Sequence, residues 1–530
     1  MPFEPSRRHF LAAGATLALA SEVRSVPATP SFEFADVSVA ELAEHLKTGK
    51  FTSRQLTEAY RARIEAIDAA GPTLNSVIEP NPDAVAIAES LDKERKDKGP
   101  RGPMHGIPVL IKDNIDTADK MQTTAGSLAL VGAKPSKDAF IAKKLRDAGA
   151  VILGKTNLSE WANFRSSNST SGWSSRGGLT RNPYALDRNC SGSSSGTGAA
   201  IAASLCAVGI GTETDGSIVS PSNNCGLVGL KPTVGLVSRT GIIPISASQD
   251  TAGPMGRTVT DVAMLLDAIV GRDPDDPATA RDELAKPVDY MKSLDAKGLK
   301  GARLGVLRKL PGFADRTLAV YEEALTVLKK EGAILIDEVD PKGFTETDDP
   351  EMIVLQYEFK DGLNKYLARL GDKAPVKSLA DVIAFNEKNK KTEMPFFDQD
   401  LFVKSQARGP LTDKAYIEAW AACVKMTRTE GIDAVLTKHK LDAIVAPTGG
   451  PAWLTDLVTG DHFAGGTSSP AAIAGYPAIT VPMGLIAGLP VGLSFFTRAW
   501  GEATLLKLAF AFEQATKARQ APRFLATVTM

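Results

Sequence analysis

Short apolar strands that alternate with helices constrain this chain more than any other feature. Residues 107–111 form an apolar strand that ends on Lys112, and residues 150–153 and 207–210 form two more. A helix capped at Asp138 and running to Ala148, closed by Gly149, precedes the second strand. A helix of small residues at 196–205 precedes the third. Strand runs this short and continuous suit a sheet buried on both faces, and their alternation with helices places the chain in the α/β class. Upstream, Ser38-x-x-Glu41 and Thr52-x-x-Gln55 are capping boxes. The second opens a helix that aligns Leu56, Tyr60, Ile64 and Ile67 on one face and stops at Gly71-Pro72. A charged helix follows near 82–97.

The texture changes from about 262 to 445, where charged amphipathic helices dominate. Apolar, Gly-rich strand texture returns at 441–451 and 471–496, and a last helix spans 503–517. The simplest organisation is one large α/β domain with a helical excursion in its C-terminal half, a natural place for substrate selection. The 61 basic and 62 acidic side chains give a net charge of −1, which argues against a nucleic-acid or anionic-membrane partner. No apolar run reaches the roughly 18–20 residues of a membrane span.

The N-terminus reads as an address. Arg7-Arg8, an apolar run over 11–20 and Ala18-Leu19-Ala20 fit a twin-arginine signal peptide at 1–20, with a linker at 21–36. Periplasmic or secreted localisation is the expectation. Cys190, Cys206, Cys225 and Cys423 have no metal-ligand spacing and read as thiols.

Three motifs compete for the chemistry. Gly149-Ala150-Val151-Ile152-Leu153-Gly154-Lys155-Thr156 matches the P-loop pattern. A P-loop needs a strand before its first glycine and a helix after its Lys-Thr. Here a helix comes first and the intervening residues are themselves strand, so they cannot wrap amides around a phosphate. Gly192-Ser193-Ser194-Ser195-Gly196 matches a hydrolase nucleophile elbow centred on Ser194. What precedes it is polar and turn-rich rather than strand. The only later histidines are His439 and His462, in a helix end and a loop. The spread of histidines also disfavours a zinc site.

The third pattern joins three segments: Lys112 on its strand end, the Gly/Ser loop, and Gly211-Thr212-Glu213-Thr214-Asp215-Gly216-Ser217. Together they suit acyl transfer without histidine. A serine needs a base. A lysine serves if burial lowers its pKa toward the working pH. A second hydroxyl can relay the proton, and Gly-rich backbone can aim N–H groups at an oxyanion.

These segments, with "AVILGKTNLSEWANF" and "QDTAGPM" around them, resemble the amidase signature family from about residue 37 to the end. The likeness is weakest across roughly 285–440. The resemblance implies one large domain at 37–525, a central mixed, mostly parallel twisted sheet covered by helices on both faces, and a divergent helical region at 285–440 that selects substrate. It implies Lys112 as base, Ser193 as the bridging serine on a cis peptide bond, and Ser217 as nucleophile. Thr214, Asp215 and Gly216 match the oxyanion segment, and Ser194 matches a supporting loop serine. No metal or organic cofactor is implied.

Several positions depart from the family pattern. Ser191 and Ser195 replace loop glycines, Asp215 replaces a glycine, and Val219 replaces an arginine. The forms "GTETDGSIV" and "GSSSG" are similar to a subgroup containing bacterial peptide amidases. The expected substrate is therefore a peptide C-terminal amide or another small amide, hydrolysed by a monomer or homodimer. Aryl acylamides and carbamates are alternative substrates. The family also includes glutaminase subunits of tRNA-dependent amidotransferases, which the export signal disfavours.

Overall fold

The computed structural model describes residues 31–285, 288–343 and 346–528. The signal peptide expected at 1–20 lies outside them. Of the expected linker at 21–36, the described end packs against the domain. Phe34 is buried and stacks on Tyr60, Phe32 meets both rings edge-on, and the Asp36 N–H donates to Ser204 Oγ at 3.0 Å.

Eleven strands form one sheet among the described residues. The first are β1 (Val77–Pro80), β2 (Pro108–Lys112) and β3 (Val151–Thr156), and a separate two-stranded ribbon is made of β4 (Trp173–Ser174) and β5 (Gly178–Leu179). Then come β6 (Val208–Glu213), β7 (Val228–Lys231), β8 (Thr251–Gly256), β9 (Arg303–Leu307) and β10 (Ile334–Val339). The last are β11 (Ala443–Pro447), β12 (Ala478–Ile486) and β13 (Leu489–Phe496). Their spatial order is β1-β3-β2-β6-β8-β7-β12-β13-β11-β9-β10.

The α/β class and the mixed sheet agree with the sequence. The proportion of parallel pairing does not: four neighbouring pairs are parallel and six antiparallel. Parallel pairing is confined to two blocks, β3-β2-β6 and β11-β9-β10. One antiparallel pair follows directly from a short connection. Only Ala487 and Gly488, both at positive φ, link β12 to β13, and a two-residue turn joins antiparallel strands alone. Every residue of β2, β3, β6, β8 and β11 is buried. Successive side chains point to opposite faces, so both faces of the sheet are covered. Helix Ser195–Ala202 packs on β6, Val259–Ile269 on β8 and Glu502–Thr516 on β12 and β13.

Both capping boxes form, and Leu56, Tyr60, Ile64 and Ile67 are buried as their spacing requires. The cap at Asp138 does not form. The helix starts at Phe140 behind Ala139, because the Asp138 carboxylate instead accepts from the Ala118 N–H at 2.8 Å and from Arg146 Nε at 2.9 Å. The 285–440 region is not purely helical either. Its first part, β9, helix Asp315–Lys330 and β10, is a parallel extension of the main sheet. The excursion proper begins with helix Asp348–Leu370. Its apolar cluster of Phe359, Leu363, Leu367 and Phe402 packs on Trp161 and Phe164 of the central domain. No helix among the described residues is long and apolar enough to cross a membrane.

Candidate active site

Strands β2 and β6 run parallel, pairing Ile111 with Ile210, so Lys112 and Thr212 emerge at the same end of the sheet. Ligands gather at the carboxyl ends of parallel strands. The Gly/Ser loop drops onto this end before helix Ser195–Ala202 begins. The approach is close. A Cβ at Gly196 would lie 2.4 Å from the carbonyl oxygens of both Asn157 and Ser76, so glycine alone fits there. The substituted loop positions are tied down: Ser195 Oγ donates to Ser191 O at 2.5 Å, and the Ser191 N–H donates to Asn189 Oδ1 at 2.7 Å.

Lys112 is wholly buried. Its Nζ lies 2.7 Å from Ser193 Oγ, 2.9 Å from Thr212 Oγ1 and 3.3 Å from Thr212 O. Burial pulls its pKa down to about 7, against the partial opposition of Glu213 and Asp250. The Gly192–Ser193 peptide bond is cis. Ser193 and Ser194 are 0 % exposed and Ser217 is 8 % exposed, so of the three only Ser217 keeps any contact with solvent.

Ser194 is no elbow nucleophile in this geometry. Its Oγ donates to Thr212 O at 3.1 Å and accepts from the Thr212 N–H at 3.2 Å, which commits the hydroxyl to the backbone that carries Lys112's partners. Its N–H donates to Ser217 O at 3.2 Å and joins the loop to the Ser217 turn. No histidine among the described residues joins the cluster: His105 is buried against Leu91 O, and His462 faces Thr459. The P-loop reading fails as its context required, since Lys155 lies inside β3 with its Nζ donating to Ile115 O at 2.5 Å.

The 213–219 turn is built from its own side chains. Glu213 Oε2 accepts from the Ile218 N–H at 2.7 Å and the Val219 N–H at 3.0 Å. Gly216 takes φ +77°, which glycine adopts without penalty. The N–H groups of Asp215, Gly216 and Ser217 donate to no acceptor among the described residues. Buried backbone donors are nearly always paired, so three open ones in sequence form a ready site for a developing negative charge. The Thr214 hydroxyl donates to Asp250 Oδ1 at 2.6 Å, and Asp215 Oδ1 accepts from Ser468 Oγ at 2.5 Å. Burial raises the pKa of both carboxyls, that of Asp250 to about 6.

The structure thus gathers Lys112, Ser193, Ser194, Thr214, Asp215, Gly216 and Ser217 around one strand end. Sequence reading missed Thr212, Asn114 and Asp250. Asn114 Nδ2 donates to Thr212 Oγ1 at 2.9 Å and fixes the hydroxyl that faces Lys112. The signal for Asn114 was present, two residues after the lysine. Asp250 stands in the "QDTAGPM" segment, but nothing in that segment points to Thr214, 36 residues away.

The amidase family model matches residues 55–506. A probable amidase of Arabidopsis thaliana is 42% identical over 516 residues, covering 96% of this chain and 94% of that protein. A glutamyl-tRNA(Gln) amidotransferase subunit of Geobacter metallireducens is 36% identical, covering 91% and 98%. Among solved structures, the native peptide amidase of Stenotrophomonas maltophilia superposes with a TM-score of 0.90 at 51% identity, covering 93% of this chain and all of that one.

Proposed function

The chain belongs to the amidase family and is an amide-hydrolysing enzyme, and from that premise we propose that Ser217, Ser193 and Lys112 carry out the hydrolysis through a seryl acyl-enzyme. The observation that carries the proposal is the bonding around Lys112 Nζ. A neutral amine has two N–H bonds and one lone pair. Two N–H bonds directed at the carbonyl and hydroxyl oxygens of Thr212 leave the lone pair for the Ser193 O–H, 2.7 Å away. A pKa near 7 keeps that amine neutral at mildly alkaline pH.

Lys112 Nζ then accepts the Ser193 proton while Ser193 Oγ accepts the proton of Ser217. Ser217 Oγ forms a bond to the amide carbonyl carbon, and the negative charge on its oxygen falls to the N–H groups of the 214–217 turn. Collapse of this adduct breaks the C–N bond, and the relay returns a proton to the leaving nitrogen. Water, deprotonated through the same relay, releases the acid and restores Ser217. Ser194 positions Thr212, and the Ser468 hydroxyl holds the Asp215 carboxylate.

We assign the C-terminal carboxamide of a peptide as substrate. Likeness to a peptide amidase over 93% of the chain supports this. The test sets ammonia release from a peptide amide against aniline release from an acyl-anilide and against carbamate hydrolysis. Faster ammonia release is the expected result. A clear preference for the anilide or the carbamate would replace the assignment with an aryl acylamidase or carbamate hydrolase.

A further inference from the structure

A cavity of about 220 Å³ opens beside the catalytic lysine. Asn114, Thr212 and Thr214 form one end, and Ala162, Ile242, Ile243, Ile245 and Leu411 supply apolar walls. Six carboxylates border it, from Glu213, Asp250, Asp275, Asp276, Glu358 and Asp361, against the single cation of Arg239.

Half of that acidity is already answered. Arg239 grips Asp276 through Nε at 2.9 Å and Nη2 at 2.6 Å. Lys365 pairs with Asp361 at 2.7 Å, and Glu213 is drawn to Lys231. Asp250, Glu358 and Asp275 have no ion pair among the described residues. Asp250 and Glu358 accept hydrogen bonds only from neutral donors: Thr214 and backbone N–H groups for the first, Ser246, Ser248 and Tyr416 for the second. The larger groove outside shares Thr240, Ile242, Pro244, Asp275 and Gly362 with the cavity and carries Lys137, Lys143 and Arg369, so Asp275 stands at the mouth while Asp250 and Glu358 are the unanswered acids inside.

A second observation is independent of charge. Asn114 Oδ1 is buried at this cavity with no hydrogen-bond donor among the described residues. A buried acceptor left empty is costly, so this site calls for a ligand that donates.

We infer that this cavity is a subsite for a basic side chain, the ammonium or guanidinium of a lysine- or arginine-type residue adjoining the amide that is cleaved. Apolar walls suit the methylene stem of such a side chain. Unpaired carboxylates in a partly dehydrated recess attract its head far more strongly than they would in water. The inference rests on the amidase reading and adds a preference among its substrates.

The test compares N-acetyl-lysinamide with N-acetyl-norleucinamide, which share a stem and differ in the ammonium. Ammonia release is followed for both. The expected kcat/KM ratio favours lysinamide by roughly tenfold at low ionic strength and shrinks in about 0.5 M salt. Glu358→Gln and, separately, Asp275→Asn lower the ratio several-fold, with the Tm of each variant read alongside. Asp275 is exposed, so its exchange reports even if Glu358→Gln unfolds the 246–250 loop. Equal or better turnover of norleucinamide by the parent enzyme overturns the inference, as does an unchanged ratio in the folded variants. Failure to release ammonia from either amide strikes the amidase reading instead.

Discussion

Lys112 ends β2 and Lys155 stands one residue before the end of the neighbouring parallel strand β3, and both are wholly buried with lowered pKa values. One residue of register separates them. Ile111 pairs with Lys155 while Lys112 pairs with Thr156, so the two side chains leave opposite faces of the sheet. On one face Lys155 Nζ donates to Ile115 O and Thr123 Oγ1, and the nearby charges of Asp113 and Asp116 oppose the lowering of its pKa. On the other face Lys112 meets two hydroxyls and a carbonyl. Burial alone therefore does not make a lysine a base. Lys155 bonds a carbonyl and a threonine hydroxyl, whereas Lys112 bonds the Ser193 hydroxyl, so what the amine touches rather than its burial sets Lys112 apart.

The strongest way to break this comparison is to replace each lysine by methionine. Lys112→Met is expected to cut kcat/KM by about 10³-fold or more while leaving the smaller mark on Tm. Lys155→Met removes a buried donor to Ile115 O and Thr123 Oγ1 and is expected to lower Tm by several degrees with the folded fraction still active, because Asp113 and Asp116 keep Arg176 and Arg369 as cations. Paired activity and melting measurements check both. A folded but inactive Lys155→Met protein would erase the distinction.

The pH profile sharpens the comparison. Burial disfavours the ammonium of Lys112, so the free base dominates above about pH 7 and the protonated form blocks the relay below it. kcat/KM is expected to rise roughly tenfold per pH unit up to that value and then level off. A flat profile down to pH 5, or an acid optimum, contradicts a neutral lysine.

Ser194→Ala has the smallest expected effect of the set. It removes two hydrogen bonds to the Thr212 backbone but no reacting group, for a loss of about tenfold in kcat with turnover retained. Complete loss of turnover in a folded variant would move Ser194 into the chemistry.

Much of this was legible in the sequence because the catalytic segments are contiguous and carry their own local rules. Lys112 stands where an apolar strand stops, and the Gly/Ser loop precedes a helix whose small residues lie close against β6. The capping boxes at Ser38 and Thr52 needed only four residues each to be read. What escaped depends on distant chain. Asp138 carries a cap-like sequence, yet Arg146 and the Ala118 N–H claim its carboxylate. Asp250 and Arg239 meet the site from loops and Glu358 from the helix Asp348–Leu370, by paths that no periodicity encodes. The antiparallel centre of the sheet depends on which sequence-distant strands become neighbours, not on strand composition, which reads the same in either pairing.

The central claim is that the nucleophile lies on the 213–219 turn and not in the serine-rich loop. A serine-directed phosphonate, followed by peptide mapping with mass spectrometry, tests it most directly. The account expects one adduct per chain, on Ser217, with none formed in Ser217→Ala. An adduct on Ser193 or Ser194, or undiminished turnover by Ser217→Ala, would contradict it.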